Sequence, residues 1–342
     1  MSELLIVGNR GGSHVGGSFE RAAAAMELPV SLIESRRAMQ GPLWLQKLKW
    51  HALDHRPTRM RQFETEVVTY CRKFQPKVLL ATGQAPLGAM ALETIRSCGT
   101  CCVNYLTDDP WNASHRTRWF LRALPQYDCV FTTRRSNLLE LGQVCRRVEF
   151  APFGYDPELF HPESLTPEET SALASDVLFA GGADQDRAAV IGGLIAGGFH
   201  VRLYGDYWDR FPETRGRSGG LVDIPLLRKA ISATRVALCL VRRANRDGHC
   251  MRTFELPAVG ACMLVERTDE HLDLFGPEGT AVRYFESTSD MIRAVALLLQ
   301  DEGERRRLAA AAHRLIVGGR NRYLDRLSHM LAAISDDVVP TV

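Results

Sequence analysis

The chain has 342 residues, 45% hydrophobic and 24% charged, with a formal net charge of +2. That length exceeds what one hydrophobic core serves, so two domains are expected, and the near-balanced charge excludes a dedicated nucleic-acid binder. No apolar run approaches the roughly 20 residues of a membrane span, and MSELLIVGNRGG lacks the basic leader of a secretory signal, so the expectation is a cytoplasmic protein.

In chain order, the first half reads as strands LLIVG (4–8), KVLLAT (77–82), CVNYL (102–106), DCVFTT (128–133) and RVEFAP (147–152). Helical patterns fill 18–27, 58–74, 84–97 and 134–142 between them. Such alternation predicts a parallel sheet covered on both faces. The proline- and acid-rich stretch 153–175 then reads as a linker. A second alternation follows: strand DVLFAG (176–181), helix 184–197, strand HVRLYG (200–205), helix 225–233, strand VALCLV (236–241), helix near 252–259, and strands ACMLVE (261–266) and TAVRYF (280–285). Helices over 287–300 and 303–335 close the chain. The predicted domains are 1–152, 176–318 and a final segment, 319–342, crossing back to the first. Two doubly wound α/β domains would face each other across a cleft, with ligands at the carboxyl ends of the strands.

The nine cysteines include a Cys98-x-x-Cys101 pair followed by Cys102. No second pair answers it at zinc spacing, and it runs into a strand, so a structural reading leads. Cys129, Cys239 and Cys262 lie in apolar runs and read as small buried hydrophobes. Residues 36–61 hold seven Arg or Lys, one Asp and two Trp. A solvated helical face leads there, with weak membrane-surface contact as the alternative.

Two glycine turns offer ligand chemistry. The first strand runs into GNRGGSHVGG (8–17), where Gly11, Gly12 and His14 stand before a helix start on the acceptor side. The spacing is not G-x-G-x-x-G, although Glu34 ends the next apolar run as a ribose-binding acid of an NAD fold would. The second turn, FAGGADQDR (179–187), sets Gly181, Gly182 and a first-turn Arg187 where a diphosphate could lie. A plain βα turn is the alternative at both.

The segment 241–266 is richest in candidates. Pro257, tolerated in a helix's first turn, would put the Glu255 carboxylate at a helix start, able to take both ribose hydroxyls. Asp247 precedes it by eight residues, and Arg242, Arg243, Arg246 and Arg252 could balance a diphosphate; an exposed Arg252–Glu255 ion pair is the simpler reading. In TDDPWN (107–112), Asp108 and Asp109 end a strand. They could orient acceptor hydroxyls or only form a turn; one acidic pair is thin for a metal, so no metal is expected.

As an ordered set, TDDPW, FGYDPELFHP, DVLFAGGADQDR, VRLYGDYW, MRTFELPAVGACMLVERTDEHLDLF and the tail from TAVRYF to about Leu331 resemble the CgeB-like (spore-maturation type) glycosyltransferases. The second domain of that family is similar to the group-1 transferases of GT-B fold. The resemblance covers most of residues 100–331, while residues 1–99 match in architecture alone. It implies a GT-B fold and a metal-independent transfer from a nucleotide-sugar, with no further cofactor, to an acceptor hydroxyl, with retention. It implies that Glu255 binds the ribose, that Gly181, Gly182 and Arg187 form the donor phosphate loop, that Arg252 is the arginine before the family's F-E pair and that Asp247 holds the place of its first acid. Arg187, Arg243 and Arg252 are expected to stabilise the leaving diphosphate, with Asp247 and Arg252 as candidate catalytic residues. Asp247 stands where the group-1 pattern has a glutamate, and His249 where a polar amide is expected. Asp108 and Asp109 match the D-D-P element, acceptor-side or structural. The rival readings are a nucleotide-sugar epimerase, an NAD-dependent enzyme, or an inactive GT-B scaffold that binds a partner.

Overall fold

The computed structural model describes residues 3–12, 14–42, 44, 48 and 54–335. Much of the basic stretch 36–61, namely 43, 45–47 and 49–53, lies outside them. Among the described residues no helix is long and apolar enough to cross a membrane. The chain forms two compact units: residues 1–152, 244–246 and 323–342 make the first, and 153–243 with 247–322 the second.

The first unit carries a six-stranded parallel sheet in the order β2-β1-β3-β4-β5-β6. Its strands are β1 (Leu4–Gly8), β2 (Val30–Glu34), β3 (Val78–Thr82), β4 (Cys101–Leu106), β5 (Cys129–Thr132) and β6 (Val148–Phe150). β1 is buried along its whole length, which requires helices on both faces of the sheet. β2 is the apolar run that ends at Glu34, which the sequence reading did not assign as a strand: at the sheet edge it buries Ile33 and leaves its other residues half-covered. The helix Tyr323–Ser335 packs in this unit, with Tyr323 edge-on to Phe19 at 5.2 Å, Arg326 donating to Pro152 O and Arg147 donating to Ala333 O.

The second unit has a five-stranded parallel sheet in the order β11-β10-β9-β7-β8. The strands are β7 (Ser175–Ala180), β8 (Val201–Tyr204), β9 (Thr234–Cys239), β10 (Met263–Glu266) and β11 (Arg283–Phe285). The segment expected to be a linker is instead a packed part of this unit. Phe153, Tyr155, Asp156 and Phe160 are buried, and Arg228 ties it down through Glu163 and Leu159 O. It also contains a helix, Pro167–Leu173, started by a capping box between Thr166 and Glu169. Thr-Pro-Glu-Glu is a helix-start signal, masked in the sequence by its own proline and acids.

A second unforeseen helix, Asp269–Phe275, is capped by Thr268 and buries His271. His271 Nδ1 faces Glu266 O at 2.8 Å, and a carbonyl only accepts, so Nδ1 carries the proton. Nε2 then accepts from Thr253 Oγ1 at 2.9 Å. Burial pushes the His271 pKa down from 6.5 to about 4. The unfolded chain therefore binds a proton that the folded one refuses between those values, and stability falls as pH drops through that window. We expect urea denaturation to lose about 3 kcal/mol from this site between pH 7 and pH 4. His271→Asn, which keeps a donor toward Glu266 O, should flatten that part of the pH dependence; an unchanged slope would count against it.

Candidate functional site

In the second unit, β7 ends in the Gly181–Gly182 turn, and Asp184 caps the next helix, Gln185–Ala196, by accepting from Arg187 N at 3.0 Å. The glycines serve a close approach of two turns. Gly205, with φ +127°, lies so near that a Cβ there would stand 2.1 Å from Gly181 O. Gly181 N–H donates to Tyr204 O, and Gly181 O accepts from Trp208 Nε1, both at 2.9 Å. The Gly181 amide is thus bonded to the neighbouring strand end.

Arg187 is largely engaged by the protein. Its guanidinium is buried over the Phe179 ring and donates to Gly182 O at 3.1 Å and Leu240 O at 3.2 Å. Burial and nearby Arg242 lower its pKa, and its two Nη groups tie two strand ends together while its Nε has no hydrogen-bond partner among the described residues. Arg242 lies on the glycine turn, its Nη2 3.6 Å from the place of a Gly182 Cβ and its Nε 3.5 Å from Asp184. Asp247 closes its own loop, accepting from Arg242 N while its N–H donates to Arg242 O. Exposed Arg243 pairs with Glu266 at 3.0 Å. Arg243, Arg187, Leu240, Glu266, Phe285 and Ser287 are among the residues lining a cavity of about 280 Å³ at the ends of β9, β10 and β11.

Arg252 and Glu255 lie in the first turn of helix Arg252–Val259. Pro257 sits one turn further inside that helix, so the proline argument for the helix start does not hold, although Glu255 is placed there. The two side chains form an ion pair, with Arg252 also donating to Ala180 O at 3.2 Å. The pair is not the exposed one of the simpler reading: Glu255 is 1% exposed, and burial raises its pKa against the pull of Arg252. Arg252 holds Oε2, and no described residue donates to Oε1. His249 is buried, its Nδ1 donates to Glu270 at 2.5 Å and its Nε2 accepts from Phe153 N at 3.1 Å, so it anchors the start of the second unit.

In the first unit, the adjacent acids part company. Asp109 is buried and its oxygens accept from Trp111 N, Asn137 Nδ2 and Arg246 Nε, the last at 2.7 Å. Those bonds engage both carboxylate oxygens of Asp109. Asp108 accepts from Asn245 Nδ2 and Thr107 Oγ1, both at 3.2 Å, and lines a cavity of about 320 Å³. That cavity lies at the ends of β1 and β3, where the strand order reverses, the position at which doubly wound sheets bind ligands. Gly11, Gly12 and His14 are exposed and do not line it. Its walls include Asn9, Arg36, Ser35, Gln84 and Trp119. Ser35 Oγ, Gln84 Nε2 and Trp119 Nε1 are buried donors without a hydrogen-bond partner among the described residues. Buried polar groups are normally satisfied, so these three donors are groups that water or a ligand in the cavity would satisfy. Nothing in the sequence marked these residues; only the fold collects them. Among the described residues no three His, Cys, Asp or Glu side chains gather as a metal site.

Residues 188–332 match a family model described as "Glycosyl transferase-like". No curated protein matches the chain. Solved structures show the fold. Sucrose-phosphate synthase from Thermosynechococcus elongatus aligns with TM-score 0.68 at 13% identity, over 98% of this chain and 99% of that one. Anabaena HepE, solved with UDP and glucose, aligns with TM-score 0.63 at 12% identity, over 98% and 100%. A UDP-N-acetylglucosamine 2-epimerase from Listeria monocytogenes, so described as putative, aligns with TM-score 0.54 at 12% identity, over 100% and 98%. The two parallel-sheet α/β units are those of GT-B glycosyltransferase structures.

The Gly205–Gly181 contact sets a test of the second glycine turn. Gly205→Ala puts a methyl into a backbone oxygen and an L-residue at an unfavourable φ, so urea denaturation should record a loss of about 2–4 kcal/mol. A loss below about 1 kcal/mol would mean that the two turns do not press together.

Proposed function

We propose that this protein is a glycosyltransferase that moves a sugar from a nucleotide-sugar, bound by its second unit, to an acceptor hydroxyl held by its first. The observation that carries the reading is the buried Arg252–Glu255 pair at a helix start, inside the stretch that matches the glycosyl transferase-like model. The CgeB-like resemblance refines it to that subtype, with retention and without a metal.

In this reading Glu255 Oε1 accepts from a ribose hydroxyl, while Arg252 opposes the rise in pKa that burial imposes. Charge developing on the leaving diphosphate is met by Arg242 and Arg252 and by the helix start; one such contact is worth about 3 kcal/mol, or 10²–10³ in rate. Asp108 orients the acceptor hydroxyl in the cavity of the first unit, whose orphan donors bind the acceptor's other oxygens.

Three outcomes test this. Thermal-shift screening against UDP-, GDP- and TDP-sugars should stabilise the protein, and EDTA should leave transfer unchanged. Glu255→Gln keeps the shape beside Arg252 and should weaken nucleotide binding about tenfold or more with the fold intact; equal affinity by calorimetry removes Glu255 from the site. Trp119→Phe deletes an unpartnered donor, so stability should stay within about 1 kcal/mol while the KM for the acceptor found in a hydroxyl-compound screen rises severalfold.

A second reading rests on the fold shared with the epimerase-described structure. It requires interconversion of a nucleotide-sugar with no acceptor added, which a coupled chromatographic assay resolves.

A further inference from the structure

Nine free thiols are described, and two of them stand apart. Cys239 ends β9, and Cys250 lies two residues before the helix that carries Arg252 and Glu255. Their sulfurs are 3.7 Å apart, so forming the ~2.05 Å bond of a disulfide requires the Cys250 loop to close on the end of β9. Their surroundings are unequal. Cys239 is fully buried, and its neighbour Cys250 and burial push its thiol up. Cys250 is half-buried, its N–H donates to Thr253 Oγ1 at 3.1 Å, and contact with Cys239 together with the Arg187 charge brings its thiol down to about 7. By contrast, burial raises Cys71, Cys145 and Cys262 to about 12. A thiol with a lowered pKa in contact with a fully buried thiol is the arrangement of an attacking and a resolving cysteine.

We propose that Cys239 and Cys250 form a peroxide-sensitive dithiol whose oxidation to a disulfide disables the helix start at Arg252 and Glu255. The Cys250 thiolate attacks one peroxide oxygen; the O–O bond breaks, and the leaving hydroxide takes a proton and departs as water. The resulting sulfenic acid is attacked by Cys239 sulfur; the S–S bond forms, and the Cys239 proton leaves with the hydroxyl as a second water. Two thiols are oxidised and one peroxide is reduced to two waters. Closing 3.7 Å to ~2.05 Å strains the loop that feeds the helix and breaks the placement of Thr253 between Cys250 N–H and His271. The effect on ligand binding rests on the donor-site reading above; the dithiol itself does not.

The full-length chain is treated with hydrogen peroxide, its remaining thiols are alkylated, and peptides are mapped under non-reducing conditions. The expected product is a Cys239–Cys250 cross-link that dithiothreitol reverses and that either Cys239→Ser or Cys250→Ser abolishes. Peroxide that oxidises other cysteines, or drives Cys250 to a sulfinic acid without the cross-link, overturns the proposal. Calorimetry with the nucleotide that stabilises the reduced protein should then show affinity about tenfold weaker after oxidation, restored by dithiothreitol and unaltered in Cys239→Ser. Equal affinity in the cross-linked protein overturns the switch. If the reduced protein binds no nucleotide, the donor reading fails, and the peptide map still decides the dithiol.

Discussion

A carboxylate almost wholly removed from water must find a cation or give up its charge, and Glu255 finds Arg252. That pairing governs the second unit. Arg252 is fixed to Ala180 O at the end of β7, so one guanidinium joins the helix start to the turn that opens the unit. Arg187 repeats the device one strand over, bridging Gly182 O and Leu240 O. The strand ends are thus held by arginines that donate to carbonyls, and Gly205 and Gly181 meet backbone to backbone beneath them. A ligand at this surface meets a rigid frame, with Arg242 and the helix start as its polar points.

The first unit solves a different problem. Buried Asp109 is spent on Trp111, Asn137 and Arg246, and the segment 244–246 is held there by Asn112 to Asn245 at 2.6 Å and Arg134 to Asn245 O at 3.1 Å. With its neighbour fully committed, Asp108 is left to face a cavity. Ser35, Gln84 and Trp119 have donors around it without a partner among the described residues. A buried donor costs stability unless water or a ligand answers it.

Likeness at 12–13% identity over nearly whole chains shows how little sequence the architecture needs. Parallel strands buried on both faces demand apolar runs and covering helices, and many sequences meet that demand. The chemistry of each such protein lies in the few side chains at its strand ends, which is where this chain must be judged.

The order of strands and helices was legible because continuous apolar runs bounded by turns report burial directly, as in LLIVG and VALCLV. Where burial was partial, in β2, or where caps were mixed with linker-like residues, at Pro167–Leu173 and Asp269–Phe275, the one-dimensional pattern failed. Residue types at the site were also legible, since acids and arginines after strands can be named from spacing. Their duties were not. Asp108 and Asp109 are neighbours in sequence, yet one lines a cavity and the other is buried among donors; His249 and the Gly181 amide bond within their own unit; and the cavity's donors without a partner among the described residues come from segments near residues 35, 84 and 119. By itself the sequence determined which segments are buried and which groups stand at strand ends. Which of those groups spend their hydrogen bonds on the protein, and which keep them for a ligand, was decided only by tertiary structure, because a hydrogen bond depends on a partner's position within about 3 Å, and distant parts of the chain supply that partner.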